Sequence, residues 1–260
     1  ILERWTANVV YLRGPWSVEA GLFGGAEPEG PYDLSNYQAF GDSWSARVIR
    51  RFGGTGTSAR CGTTSFQCSR PGVATGAETT KADCPQLPTT LEELVETAQR
   101  CEAAGAAMIH VHIRDDEHRP TLDLGRLTAT VDALHDATDL VVQLSTGGSV
   151  HDPLENRLKV LDAQPDSCSL TMGTTNFGDD VFSNPWPFIT ELYQLSQERE
   201  VVPEFELFDL GHVHALHRLL DKHGLPYGGR VHVDLVMGVP GGMPGTADAL
   251  VAAVAALPSV

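Results

Sequence analysis

His110 and His112 flank Val111 in the run Ala106-Ala107-Met108-Ile109-His110-Val111-His112-Ile113-Arg114-Asp115. The run is apolar and β-branched and reads as a strand, in which alternate side chains face the same way. Both imidazoles then share one face, with Arg114 just beyond them, while Ile109, Val111 and Ile113 take the other. Two imidazoles one residue apart suit a single metal ion such as zinc. The alternative is a pair of strand-end residues with structural hydrogen bonds. Burying both without partners is costly, which favours the metal. A catalytic zinc usually takes three ligands from the protein, so a third has to be sought elsewhere in the chain. Arg114 could hold a carboxylate, or could pair with Asp115 or Asp116.

Other polar residues gather where strands are expected to end. Glu78 closes a candidate strand over 73–78 and could recognise a cationic group on a substrate, or act as a loop or cap acid. Ser145, Thr146, Gly147 and Gly148 offer hydroxyls and unhindered backbone N–H groups, which suit carboxylate or phosphate oxygens. Thr171, Thr174 and Asn176 repeat that pattern one strand later, and either loop could equally be ordinary turn chemistry. Glu204 and Glu206 share a strand face with Phe208, and an acid pointing into a core needs a cation or a proton. His212, at the end of that strand, is a candidate metal neighbour. His232 and Asp234 share a face of the next strand, in a functional or a structural role. Serine-hydrolase elbows (GxSxG) and zincin helices (HExxH) are absent from the sequence. The Gly-rich run 52–58 lacks the Lys of a phosphate loop and reads as a flexible segment.

The elements that must position these residues alternate. Helices are predicted over 90–104, 124–137, 153–163, 187–199, 214–223 and 246–256, and strands over 140–144, 167–172, 203–209 and 230–237 besides the His-x-His strand and 73–78. Thr89 or Thr90 caps the first helix, with Glu92 and Glu93 in its first turn. Such repetition predicts a parallel α/β sheet with helices outside. Polar and Gly-rich sequence follows each strand, as in a (β/α)8 TIM barrel with its active site at the strand C-termini; an open doubly wound sheet is the alternative. About six βα units are counted, where a full barrel takes roughly 250 residues, so two units are expected to be missing at the C-terminus. Residues 1–70 hold no sustained period and read as an irregular N-terminal segment, leaving 71–260 as an incomplete barrel domain.

The net charge of −16, from 34 acidic and 18 basic residues, argues against nucleic acid as the main partner. It leaves room for a small anion held by one or two local cations. No apolar stretch approaches a membrane span, and no secretory signal is evident. Five cysteines without a CxxC pair suit reduced cytoplasmic thiols.

Five motifs occur in order: Thr75-Gly76-Ala77-Glu78-Thr79-Thr80-Lys81, His110-Val111-His112-Ile113-Arg114-Asp115, Gln143-Leu144-Ser145-Thr146-Gly147-Gly148, Pro203-Glu204-Phe205-Glu206-Leu207-Phe208-Asp209 and Val236-Met237-Gly238-Val239-Pro240-Gly241-Gly242. Together they resemble the β-keto acid cleavage enzymes, typified by 3-keto-5-aminohexanoate cleavage enzyme, over about residues 72–260. The resemblance implies a zinc-dependent (β/α)8 barrel that converts a β-keto acid and acetyl-CoA into acetoacetate and a new acyl-CoA, as in lysine degradation. It implies zinc ligands at His110 and His112, keto acid contacts at Ser145 and Thr171, and a cation-selecting Glu78. It further implies that Glu206, rather than Glu204, supports the catalytic base, and that the chain forms a homo-oligomer, a tetramer by family likeness. The family's third zinc ligand, a Glu followed by the catalytic Asp with an Arg just before, is expected beyond Val260, so weak zinc binding and little turnover are expected. The run 67–72 also departs from the family's first strand. A metal-dependent amidohydrolase-type barrel using His212 and His232, and a non-catalytic barrel fragment, are the other readings.

Overall fold

The structure, a computed structural model, describes residues 79–82 and 84–258 and, as backbone, residues 6–13, 16–23 and 43–50. The expected strand over 73–78, with Glu78, and the Gly-rich run 52–58 lie outside the described residues. The chain divides into two units, each taken by itself.

In the first unit, strands β1 (Thr6–Arg13), β2 (Trp16–Phe23) and β3 (Ser43–Arg50) pair antiparallel in that order. Val18 stands opposite Tyr11 on one side and Val48 on the other. The expectation of an irregular segment is corrected for these strands. Trp16, Val18, Ala20 and Leu22 alternate with other residues at period two, a short signal masked by the Gly and Arg around it.

The second unit carries the candidate site. Its elements are α1 (Leu91–Ala103), β4 (Met108–Val111), α2 (Leu124–Ala137), β5 (Val141–Leu144), α3 (Leu154–Lys159), β6 (Ser167–Thr171), β7 (Thr175–Phe177), β8 (Asp180–Phe182), α4 (Trp186–Glu198), β9 (Val202–Leu207), α5 (Leu210–His223), β10 (His232–Leu235) and α6 (Ala247–Ala256). Strands β4, β5, β6, β9 and β10 form one parallel sheet in that order. Sequential parallel neighbours joined through helices are the repeating βαβ unit that the alternation predicts.

Four of the six helices among the described residues, α1, α2, α5 and α6, begin at a side chain that accepts from a backbone N–H group otherwise orphaned. Thr90 caps α1 and Glu93 reaches back to the Thr89 and Thr90 N–H groups, a capping box in which Lys81 also binds Glu93 at 2.7 Å. The Lys81 ammonium and the Thr89 N–H hold the Glu93 carboxyl down at about 2. Asp209 caps α5 by accepting from the His212 N–H at 3.0 Å, so the helix starts at Leu210, a turn before the predicted 214.

The sheet has two unlike faces. Ile109, Val111, Val142, Leu144, Cys168, Leu170, Phe205 and Leu207 are buried toward the helices. They divide into one cluster with α1 and α2, which includes Leu94, Leu127 and Leu134, and another with α4 and α5, which includes Ile189, Leu192, Tyr193, Val213 and Leu216. The alternate residues, His110, Gln143, Ser167, Ser169, Thr171, Glu204, Glu206, His232 and Asp234, occupy the opposite face. Register sets them side by side: His110 opposite Gln143, Gln143 opposite Ser167, Ser169 opposite Glu204, Thr171 opposite Glu206, Glu204 opposite His232, and Glu206 opposite Asp234.

One predicted ligand loop is a piece of secondary structure. The stretch after β6 folds as the β7–β8 hairpin, with Asn176 opposite Val181 and Gly178 at positive φ in its turn. Gly241 (φ 103°) packs against the Asn176 backbone so closely that a Cβ would overlap the Asn176 carbonyl oxygen.

Candidate active site

The polar face is where chemistry can occur. His110 Nε2 lies 3.3 Å from His112 Nε2. Two nitrogens on one tetrahedral zinc, each about 2.05 Å from the ion, stand about 3.3 Å apart, so the pair has the bite of two zinc ligands. His110 Nδ1 is hydrogen-bonded to Gln143 Oε1, whose Nε2 donates to Ser167 Oγ at 2.9 Å. Burial pushes the pKa of His110 down, and burial with the neighbouring His110 and Arg114 holds His112 well below the usual histidine range. Both rings are therefore neutral near pH 7, the form that binds a metal. Among the described residues no cluster of three or more His, Cys, Asp or Glu side chains is arranged to hold a metal. The histidines thus have the spacing of two zinc ligands, and among the described residues no third side chain completes such a cluster.

On the same face Thr171 Oγ1 donates to Glu206 Oε2 at 2.6 Å. Burial raises the Glu206 pKa, against the opposing pull of Thr171 and the Arg157 charge. Burial and the nearby Asp234 and Glu206 push Glu204 up to about 8, and burial with Glu206 raises Asp234 to about 6. Glu204 Oε2 is 3.1 Å from His232 Nε2. Three carboxyls on adjacent strands cannot all ionise cheaply, so this face holds protons near neutral pH.

The loop after β5 sits against the histidines. The Gly147 backbone is within hydrogen-bonding reach of His112. Ser145 Oγ donates to Gly147 O at 2.9 Å and accepts from Gly147 N at 3.2 Å, so these two groups satisfy each other. A Cβ on Gly147 would lie 3.0 Å from the Phe182 ring, which explains the small residue there. The Thr146 hydroxyl donates to Ser169 O at 2.9 Å, and the residue is 1% exposed. It ties β5 to β6.

One placement is corrected. His212 lies in the first turn of α5, not at a strand end; its Nδ1 accepts from Phe208 N at 3.2 Å, and Gly173 packs on its ring. It is a packing residue, and neither it nor His232, paired with Glu204, joins the His110–His112 pair. Asp115 is bound by Arg119 and Asp116 by Arg126. Arg114 is buried and donates through Nη2 to Thr79 O at 3.1 Å, tying the end of β4 to the chain directly after Glu78.

Two residues of this region escape a reading of the sequence. Gln143 is the single polar residue within the strand Val-Val-Gln-Leu. Arg157, 2% exposed, donates to Thr146 O at 2.8 Å, Ser183 O at 2.8 Å and Asn184 Oδ1 at 2.6 Å. Its guanidinium lies 4.5 Å from both the Phe182 and Phe188 ring centres and binds the loop after β5 to the segment after β8. Burial lowers its pKa to about 10, which leaves it charged. A buried Arg on a short helix is visible in sequence only as an ordinary surface charge.

A family model described as beta-keto acid cleavage enzyme matches residues 73–260. The 3-keto-5-aminohexanoate cleavage enzyme of Acetoanaerobium sticklandii is 38% identical over 186 residues, which cover 71% of this chain and 67% of that one. The 3-oxoadipate:acetyl-CoA acetyltransferase of Cupriavidus necator is 31% identical over 171 residues, 65% of this chain and 59% of that one. The chain thus spans about three fifths to two thirds of the length of these relatives. The apo structure of ObcA matches with a TM-score of 0.54 at 26% identity, over 60% of this chain and 37% of that one.

Proposed function

From its membership of the beta-keto acid cleavage enzyme family, we propose that this chain carries the catalytic face of an enzyme that exchanges acyl groups between a β-keto acid and acetyl-CoA, yielding acetoacetate and a new acyl-CoA. The observation that carries the reading is the 3.3 Å separation of the His110 and His112 Nε2 atoms on the face that also holds the Thr171–Glu206 pair. The fold in this reading is part of a (β/α)8 barrel, with the polar face inside.

His110 and His112 would hold zinc. Bound there, zinc would supply Lewis-acid polarisation of the keto oxygen. The residues of the chain do the rest. Ser145 and Gly147 would exchange their mutual hydrogen bonds for the substrate carboxylate, fixing its orientation. Thr171 would touch the keto acid through the hydroxyl that now binds Glu206. Glu206, with its pKa raised, would support the base that takes the proton from carbon. Arg114 would position the segment after Glu78 through Thr79 O, and Glu78 would select a substrate with a positive group. The resemblance also carries homo-tetramer assembly into this reading, and the cysteine pattern a cytoplasmic setting.

Zinc stoichiometry together with acetoacetate release from acetyl-CoA and 3-keto-5-aminohexanoate is the test. One zinc per chain is expected, held weakly because two imidazoles make a poorer site than three protein ligands. His110→Ala and His112→Ala should each abolish both zinc binding and any acetoacetate release. A zinc-loaded chain that binds neither acetyl-CoA nor the keto acid in calorimetry overturns the proposal. Two zinc ions per chain would favour the hydrolase reading instead.

A further inference from the structure

The hydrogen bonds around Gln143 specify which nitrogen of His110 carries the proton. Gln143 is 1% exposed and stands in register with His110 on one side and Ser167 on the other. Its amide has two unlike ends. The Nε2 end faces two acceptors, Ser167 Oγ at 2.9 Å and the Glu204 carboxyl. The Oε1 end faces His110 Nδ1. An amide oxygen can only accept, so Nδ1 must donate, and a neutral imidazole has only one proton to give. His110 Nε2 is left with a lone pair, aimed at the point that His112 Nε2 also approaches. Turning the amide over would set its oxygen against the Glu204 carboxyl, which would then have to keep its proton, and its NH2 group against Nδ1. The proton would then have to sit on Nε2, where it blocks a metal.

We propose that Gln143 is a positioning residue that locks His110 in the Nδ1–H tautomer, so that Nε2 is free to bind a metal ion shared with His112. The use made of the tautomer rests on the metal reading above; the tautomer itself does not. Metal-ligating histidines generally need such a partner on the second nitrogen, and removing it weakens the metal. Here the partner is an amide held at its other end by Ser167 and Glu204, so the lock runs across β4, β5, β6 and β9.

The test uses the metal-free 260-residue chain with 15N-labelled histidine. Two-bond imidazole 1H–15N correlations report each tautomer, and His110→Asn assigns the signals. The Nδ1–H form is expected for His110; the Nε2–H form overturns the proposal. Zinc titration of Gln143→Leu should then show about 10- to 100-fold weaker binding than the parent chain, and Gln143→Glu, which restores an acceptor to Nδ1, should recover most of it. Unchanged zinc affinity in Gln143→Leu overturns the proposal while leaving the metal reading intact. Should Gln143→Leu fail to fold, as judged by circular dichroism, the parent tautomer and Gln143→Glu decide the matter, and a Glu variant that loses zinc overturns it. A parent chain with Nδ1–H His110 that takes up no zinc overturns the metal reading and, with it, the role given to Gln143.

Discussion

Strand β9 shows both sides of this protein within six residues. Phe205 and Leu207 are fully buried against α4 and α5, where Phe205 meets Tyr193 at 6.0 Å between ring centres. Glu204 and Glu206, their immediate neighbours, lie on the other face beside His232, Asp234 and Thr171. Strands of a parallel sheet are ordinarily apolar on both faces, because helices or a packed barrel interior cover both. Here one face obeys that rule and the other replaces apolar layers with histidines, acids and hydroxyls. The helix-side face holds the fold together by area and shape. The polar face works against that stability, as the raised Glu204 and Asp234 pKa values show, and its residue types are those of a site.

Substitutions on either side can break this contrast. The largest effect is expected from Phe205→Ala, which should lower unfolding free energy by about 3–5 kcal/mol through lost burial and a residual cavity. The urea midpoint measures it, and a loss no greater than that of a hydroxyl deletion on the other face would dissolve the contrast. Glu204→Gln should act through pH. The Glu204 pKa is about 8 in the folded chain against 4.5 as its ordinary value. The folded chain therefore holds the proton that the unfolded chain has lost, and stability falls as pH rises from about 4.5 through about 8. The groups facing Glu204 are His232, Asp234, Glu206 and Gln143. Glu204→Gln should flatten that decline and stabilise the chain at pH 8. A pH slope unchanged by the substitution would show that Glu204 ionises freely. The smallest effect is expected from Thr171→Val, about 1 kcal/mol for one hydrogen bond to Glu206. With so little fold at stake, any larger change in keto acid affinity belongs to the site.

Much of this was legible in the residues themselves. Strands with strong β-branched or alternating patterns, such as 140–144 and 203–209, fall within a residue or two of β5 and β9. The predicted helix 124–137 coincides with α2. The His-x-His spacing placed both imidazoles on one face because a strand has period two. The failures have local causes. The sequence puts the start of α5 a turn late because Asp209 resembles a strand end, whereas its carboxylate caps the helix and carries His212 into the first turn. The β7–β8 hairpin resembles a loop in sequence because its strands are three residues each, too short for a period to register. The antiparallel β1–β3 sheet leaves little trace in the sequence because its alternation is brief and lies among Gly and Arg residues.

The order of residues along the chain carries the alternation: which residues of each strand can share a face, where helices separate the strands, and which family the ordered motifs resemble. Those follow from local rules, the two-residue period of a strand and the chemistry of caps and turns. Only the tertiary structure decided what those faces meet. It set Gln143 between His110 and Ser167, turned the Thr146 hydroxyl onto Ser169, bound Asp115 and Asp116 to other arginines, and buried Arg157 between two aromatic rings. The reason is that a hydrogen bond across a parallel sheet depends on register between strands separated by a whole helix. No spacing along the chain encodes that register.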